Sequence, residues 1–446
     1  MRSILFGVLA VSHFVAIAKW PSLISIPTML KRQLNAYVKS YQGLSNQIWL
    51  LALITLINRA GTMVVPFLSL YLTTNLSFSL SEVGWIMTAF GTGSILGAWL
   101  GGKLTDKIGY YKVMLISLIG AGITFVVVQY LSSFLFLVIG IFILMTIADM
   151  FRPAMYVSIR AYSKPENNTR SVTLIRLAIN LGFSFGPAMG GVIIASIGYG
   201  SLFWIDGITC ISAAILLYML LNEKSGNPIV QENTNGQKSQ SAYTDISYLV
   251  FLAIVFLTAI VFLQMFATVP IYYKAIHQLT EGQIGLLLGM NGLLIFLFEM
   301  PLINWLENSR ISKATILWIG TLILGMGFVV FNVSDWKGIL IISMLFITLG
   351  EMLIFPFANS FAMERSQKGK AGEYMALFPI AFSGAHIIGP NMGMQLIEGF
   401  GYGFTWNMVF VATFAGIVLC YYLRYRLKSE QIGYENSNQK IPSTVA

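Results

Sequence analysis

Polar residues along this chain are confined to short intervals between long apolar runs. The runs fall near 48–72, 81–102, 111–131, 134–160, 170–197 and 201–222, then near 247–273, 282–304, 313–332, 338–363, 372–397 and 404–427. Each is close to the ~20 residues that an α-helix needs to cross a bilayer. The pattern predicts twelve transmembrane helices. A polar stretch at 223–245, with Asn, Gln, Ser and Gly, divides them into two sets and reads as a flexible linker.

The two sets resemble each other. Gly186-Pro187 with Gly190 recurs as Gly389-Pro390 with Gly393, Pro153 as Pro356, and Gly198-Tyr199-Gly200 as Gly401-Tyr402-Gly403. The offset is constant, since 389 − 186, 356 − 153 and 401 − 198 are all 203. Gly84 and Lys112 recur as Gly285 and Lys313 at 201, a slip one loop can absorb. A repeat of about 200 apolar residues is far longer than a solenoid unit and points to a two-bundle transporter. The expected fold is an all-α membrane protein, with twelve helices in two pseudo-symmetric six-helix bundles. The bundles span 46–222 and 246–428, with a linker at 223–245 and a cytoplasmic tail at 429–446. Residues 1–45 read as an interfacial helix or an over-extended start. The apolar run Ile4–Ala18 is short for a span, and Met29 offers a second start.

Composition agrees. The chain has 446 residues, 56% hydrophobic and 10% charged, against about 25% charged for soluble domains. Such a chain must be solvated by lipid. The net charge of +9 does not signal nucleic acid, because the basic residues sit in short loops rather than in one patch. Lys103, Lys107 and Lys112 lie on one side. So do Arg160, Lys164, Arg170, Lys224, Lys238, Arg310, Lys313, Arg365, Lys368, Lys370, Arg424, Arg426 and Lys428. The opposite side has mainly Lys274 and Lys337. The positive-inside rule makes the first side cytoplasmic, with both ends of the twelve-helix unit there and the protein in the inner (plasma) membrane. Cys210 and Cys420 lie inside apolar runs and give neither metal spacing nor a disulfide framework. No metal or cofactor is expected, and a monomer is expected to function alone.

The loop Gly102-Lys103-Leu104-Thr105-Asp106-Lys107-Ile108-Gly109-Tyr110-Tyr111-Lys112 resembles the signature loop of the major facilitator superfamily. Tyr111 stands at one position where that signature has a basic residue. The second-half counterpart, Glu307 to Lys313, keeps Glu307 and Arg310 without the glycines. The run Gly182-Phe183-Ser184-Phe185-Gly186-Pro187-Ala188-Met189-Gly190-Gly191 resembles the glycine-proline motif of the proton-coupled drug antiporter branch. In span four Arg152 matches that branch, while Tyr156 replaces its usual glycine. The resemblance implies a gating role for Gly102, Asp106, Lys107 and Gly109, with Asp106 holding the two bundles together in one state; the alternative for Asp106 is a loop charge kept in water. It also implies that spans one, four, seven and ten line a central cavity. Gly182, Gly186 and Gly190 are spaced four apart, as are Gly93, Gly97 and Gly101, so each set shares a helix face and permits close backbone approach. Plain helix packing is one reading of these glycines; the other, with Pro187, places the first set at the seam between bundles.

An ionisable residue inside a span costs roughly 2.5–3.5 kcal/mol, so each one needs a reason. Asp149 and Glu351 are the expected proton-responsive carboxylates, with Arg59, Arg152 or Arg176 as the partner of Asp149. A permanent ion pair that only fixes packing is the alternative for Asp149. Glu351 has no basic neighbour at helical spacing. His386 is a candidate relay or a packing residue. Met63, Phe67, Tyr71, Gln264, Met265, Phe355 and Asn359 are candidate cavity residues, with packing or lipid contact as the alternative for most Phe and Met side chains.

The expected function is proton-coupled secondary transport that exports amphipathic compounds or drugs, with uptake of a nutrient, peptide or lipid as the alternative. No P-loop motif for ATP-driven export is present. A membrane transferase would need a catalytic cluster at one surface, and the three histidines, His13, His277 and His386, are scattered. A non-transporting sensor would tolerate loss of the intramembrane charges.

Overall fold

The computed structural model describes residues 43–164, 167–223, 241–309, 311–367 and 369–439. The expectations for residues 1–42, for 224–240 of the linker, and for Lys224, Lys238, Arg310 and Lys368 lie outside the described residues.

The first half contains α1 (Asn46–Ala60), α2 (Val64–Leu70), α3 (Leu80–Ile108), α4 (Tyr110–Val128), α5 (Phe134–Asp149), α6 (Phe151–Tyr162), α7 (Asn168–Ile197) and α8 (Gly200–Leu220). The second half contains α9 (Ile246–Ala267), α10 (Val269–Ala275), α11 (Glu281–Glu307), α12 (Lys313–Val329), α13 (Gly338–Ser366) and α14 (Ala371–Gln439). Among the described residues, eleven helical stretches are long and apolar enough to cross a membrane. The last, Glu373–Glu430, has 58 residues. At 1.5 Å per residue it is ~87 Å long, about three hydrocarbon thicknesses. It breaks at Gly401, where φ is 79° and ψ 174°. Beyond it α14 stays helical to Gln439, so the segment expected as a tail from 429 begins as helix.

The repeat extends to helix starts. Ser79 and Glu82 form a capping box on α3, and Thr280 and Gln283 form one on α11. Both pairs differ by 201 (280 − 79 and 283 − 82), the register already carried by Gly84 and Gly285. Each box closes two otherwise orphaned backbone N–H groups with its own side chains.

The first span is interrupted between α1 and α2. The Met63 and Val64 amides each donate to the buried Asp206 carboxylate of α8 at 3.0 Å. Backbone N–H groups at a helix start have no partner within the helix, and by accepting from them Asp206 holds this break in place.

Glycine spacing decides which helices touch, although not as expected. A Cβ on Gly182 would lie 2.5 Å from Arg59 Cβ, one on Gly186 2.9 Å from the Thr62 carbonyl, and one on Gly190 3.2 Å from Met63 Cβ. This face of α7 therefore packs on α1 and α2, inside the first half. Gly93, Gly97 and Gly101 likewise meet Phe142, Thr146 and Met150 at α5 and its junction with α6. The seam between halves uses the other face of α7, where Ser184, Pro187, Ala188 and Gly191 meet Gly285, Gly289 and Gly292 of α11. Ser184 Oγ donates to the Gly289 carbonyl at 3.1 Å. A second seam joins α3 to α14. There Thr88 Oγ1 donates to the Ile387 carbonyl at 3.1 Å, Asn391 Nδ2 donates to Thr88 Oγ1 at 2.8 Å, and Gln395 Nε2 donates to Ser81 Oγ at 2.7 Å. In lipid, close packing and interhelical hydrogen bonds drive such association.

Candidate functional site

Both seams close at the end where α3 and α11 begin. At the opposite end, Asp106 is exposed and joins none of the ion pairs among the described residues. Gly109 ends α3 with φ 87°, a conformation that favours glycine.

Glu351 lies in the middle of α13. Its Oε2 accepts from Asn291 Nδ2 of α11 at 2.9 Å, and the same amide donates to Thr348 Oγ1 at 3.1 Å. No ion pair among the described residues includes Glu351. One turn onward, Phe355 enters a run of rings. It stands 4.9 Å from Phe262 and 5.6 Å from Phe382. Phe382 stands 5.3 Å from His386, and His386 lies 6.2 Å from Phe90 with the rings 10° apart. Phe90 belongs to α3, so this run passes from the second half to the first. The arrangement joins an acid without a counter-charge to aromatic faces, a combination suited to an amphipathic cation.

Asp149 ends α5. It accepts from the Ser94 hydroxyl of α3 and from Arg152 Nη2 at 3.3 Å. Arg152 is thus its ion-pair partner, from a side chain more than half exposed. Arg59 lies in the last turn of α1, with its guanidinium 5.7 Å from the Phe183 ring and its buried Nε without a hydrogen-bond partner among the described residues. Asn58, Arg59, Asp149, Asp206 and Cys210 line a cavity of about 70 Å³ inside the first half. That volume admits a few water molecules.

Arg176 does not serve Asp149. Its side chain turns to the second half, and Nη2 donates to Glu299 Oε1 of α11 at 2.7 Å. Asn180 Nδ2 donates to Glu299 Oε2 at 3.2 Å. Glu299 and Asp206 were both missed by sequence reasoning. Each stands inside a predicted span, so the burial-cost argument that singled out Glu351 applies equally to them.

The candidate cavity residues divide. Met63, Phe67 and Tyr71 are buried in first-half packing, where Phe67 faces Gly190 and Tyr71 stands 5.0 Å from Phe203. Gln264 and Met265 are fully buried. Gln264 Nε2 donates to the Gly389 carbonyl at 2.8 Å, and Gln264 Oε1 accepts from Thr268 Oγ1 at 3.0 Å. In this conformation these five are packing residues. Phe355 is half-buried and Asn359 exposed. Among the described residues no three His, Cys, Asp or Glu side chains gather as metal ligands.

A many-helix chain with two internally repeated halves and charges inside its spans is an integral membrane protein of the transporter class. The family model described as Major Facilitator Superfamily matches residues 48–390, and the chain belongs to that family. It is 24% identical over 373 residues to the uncharacterized MFS-type transporter YqjV of Bacillus subtilis, covering 82% of this chain and 90% of that one. It is 26% identical over 212 residues to the quinolone resistance protein NorA of Staphylococcus aureus, covering 47% of this chain and 53% of NorA. A solved POT family transporter in complex with 5-aminolevulinic acid shares the fold. The TM-score is 0.71 at 15% identity, over 86% of this chain and 97% of the other.

Proposed function

We propose that this chain is a proton-coupled secondary transporter that exports amphipathic organic compounds by alternating access. The observation that carries this reading is Glu351, an acid at mid-span that among the described residues is held by Asn291 and no cation, and that is set beside a run of aromatic rings. A carboxyl there answers to whichever cation reaches it, a proton or a substrate. Competition between the two would couple proton entry to substrate exit. The resemblance to NorA over part of the chain supports export.

Counting α14 as two spans on either side of Gly401 gives twelve, in six-helix halves at 46–222 and 246–428. The Lys/Arg-rich loops put the Asp106 side in the cytoplasm and the ends of the helical unit with it. Both seams then begin at the outer side, and the α7–α11 seam runs on past mid-span to Glu299. Asp106, exposed here, would engage when the cytoplasmic side closes. Asp149, with Arg152 and the water-sized cavity beside Arg59, is the second proton-responsive group, and His386 lies on the ring path between the halves. The transporter works as a monomer with no cofactor.

Reconstitution into proteoliposomes with an imposed pH gradient, against a panel of lipophilic cations, drugs, peptides and lysolipids, tests this. Flux of at least one amphipathic compound should follow the gradient, and Glu351→Gln should abolish that dependence while sparing expression. Full gradient-driven flux in Glu351→Gln would sink the proposal.

A further inference from the structure

The α7–α11 seam changes character along its length. From Gly191 to Ser184 it is backbone against backbone, with Gly285, Gly289 and Gly292 allowing no side chain between the helices. Seven residues past Gly292, ~10 Å along the helix, it turns polar at Glu299. That carboxylate is buried and takes both of its contacts from the opposite half: Arg176 Nη2 at 2.7 Å on Oε1 and Asn180 Nδ2 at 3.2 Å on Oε2. Arg176 and Asn180 are four apart, one turn of the same helix, so they grip the carboxylate together.

This is the one ion pair that joins the two halves among those described. Arg152–Asp149 lies within the first half, and Lys274–Glu281, Lys313–Glu364, Arg365–Asp245, Arg365–Glu430 and Lys370–Glu373 lie within the second. Halves that rock must slide or part at this seam, and a charge pair there resists separation far more than glycine contacts do. Removing either charge leaves the other uncompensated at low dielectric.

We propose that Arg176 and Glu299 form a latch between the halves, released when Glu299 takes a proton, so that Glu299 is a further coupling residue beside Glu351. This rests on the proton-coupled reading above. The charged groups facing Glu299 are few. From α7 there is Arg176. From α13 there is Glu351, which accepts from Asn291 of the same α11 helix at 2.9 Å. Lys274 of α10 pairs with Glu281 at the other end of α11. A proton on Glu299 removes the charge that holds Arg176 and so loosens the seam.

Spin labels at Lys112→Cys in the first half and Asn308→Cys in the second, in a background with Cys210 and Cys420 replaced by Ala, report the separation at the Asp106 end. The wild-type distance distribution should shift between pH 8 and pH 5. Glu299→Gln should show the pH 5 distribution at pH 8 and lose the pH response. The swap Arg176→Glu with Glu299→Arg should restore the wild-type distribution at pH 8, which also shows that the pair folds when both charges are present. A wild-type distribution insensitive to pH, or a Glu299→Gln variant that responds as wild type does, overturns the latch. The measurement needs no substrate. If the distances behave as stated while Glu351→Gln still transports on a pH gradient, the reading of Glu351 falls and the latch stands.

Discussion

Gly198 and Gly401, 203 positions apart (401 − 198), share one backbone conformation: φ 97° and ψ 169° at the first, φ 79° and ψ 174° at the second. The first joins α7 to α8, and the second is the break inside α14. Equivalent glycines thus make equivalent corners in the two halves. The corner belongs to a region of backbone space that a Cβ all but forbids.

Replacing Gly401 by Ala therefore tests backbone geometry alone, because a Cβ there meets nothing within 4 Å. The cost should be on the order of 1–3 kcal/mol, read as a lower melting temperature of the detergent-solubilised protein. Gly198 is also free of contacts within 4 Å, so Gly198→Ala should fall by a similar amount. A stable Gly401→Ala variant would mean that the corner is not built on glycine.

The two faces of α7 should respond differently to bulk. Gly289→Leu forces a side chain against Ser184 and Ala188 across the seam. It should hold the seam open and abolish transport while the protein still inserts and is extracted folded. Gly182→Ala meets the Arg59 and Ala60 backbone inside the first half, and should lower stability before it affects transport. Transport assays beside melting curves on both variants separate the outcomes; equal loss of stability in both would erase the distinction between the faces.

Spacing told which glycines share a face but not which neighbour that face meets. This is why Gly182, Gly186 and Gly190 were expected between the bundles and are found against α1 and α2. The repeat was legible because Gly-Pro and Gly-Tyr-Gly pairs are rare enough to fix a register. The isolation of Glu351 was legible because helical spacing shows whether a cation sits one turn away. The partners of Arg176 were not, since an ion pair across 123 residues leaves no local trace. Gln264 was a cavity candidate, yet its amide is used up by Gly389 and Thr268.

The Asp149–Arg152 pair should contribute little to stability. The Arg152 side chain is 53% exposed and the separation is 3.3 Å, and exposed pairs are worth about 0–1 kcal/mol. Arg152→Ala should melt within a few degrees of wild type. Asp149→Asn should also fold, because its amide keeps a hydrogen bond with Ser94. If instead either single change unfolds the protein and the double change rescues it, the pair serves packing only.

Arg365 presents the opposite case. Its side chain is 6% exposed, and it donates to Asp245 at 2.6 and 2.7 Å and to Glu430 at 2.7 and 2.9 Å. Tyr374 also donates to Asp245 at 2.8 Å. The cluster ties the start of α9, the end of α13 and both parts of α14 together. Arg365→Met should cost roughly 3–5 kcal/mol, because it strands carboxylates without a counter-charge. Burial pushes the Asp245 carboxyl up, but hydrogen bonds from Arg365, Tyr374 and the Tyr248 amide outweigh it and hold the group below its ordinary value. A carboxyl lowered in the folded state stabilises fully above its unfolded value of about 3.9 and loses that contribution as the pH falls through the lower folded value. Between pH 8 and 5, Asp245 should therefore add no slope to the melting temperature; below pH ~4 it should add a decline. Asp245→Asn should melt lower at neutral pH and lack that part of the acid decline. Melting curves from pH 8 to 3 on both proteins decide it, and parallel acid declines would show that Arg365 holds the cluster without drawing on the charge of Asp245.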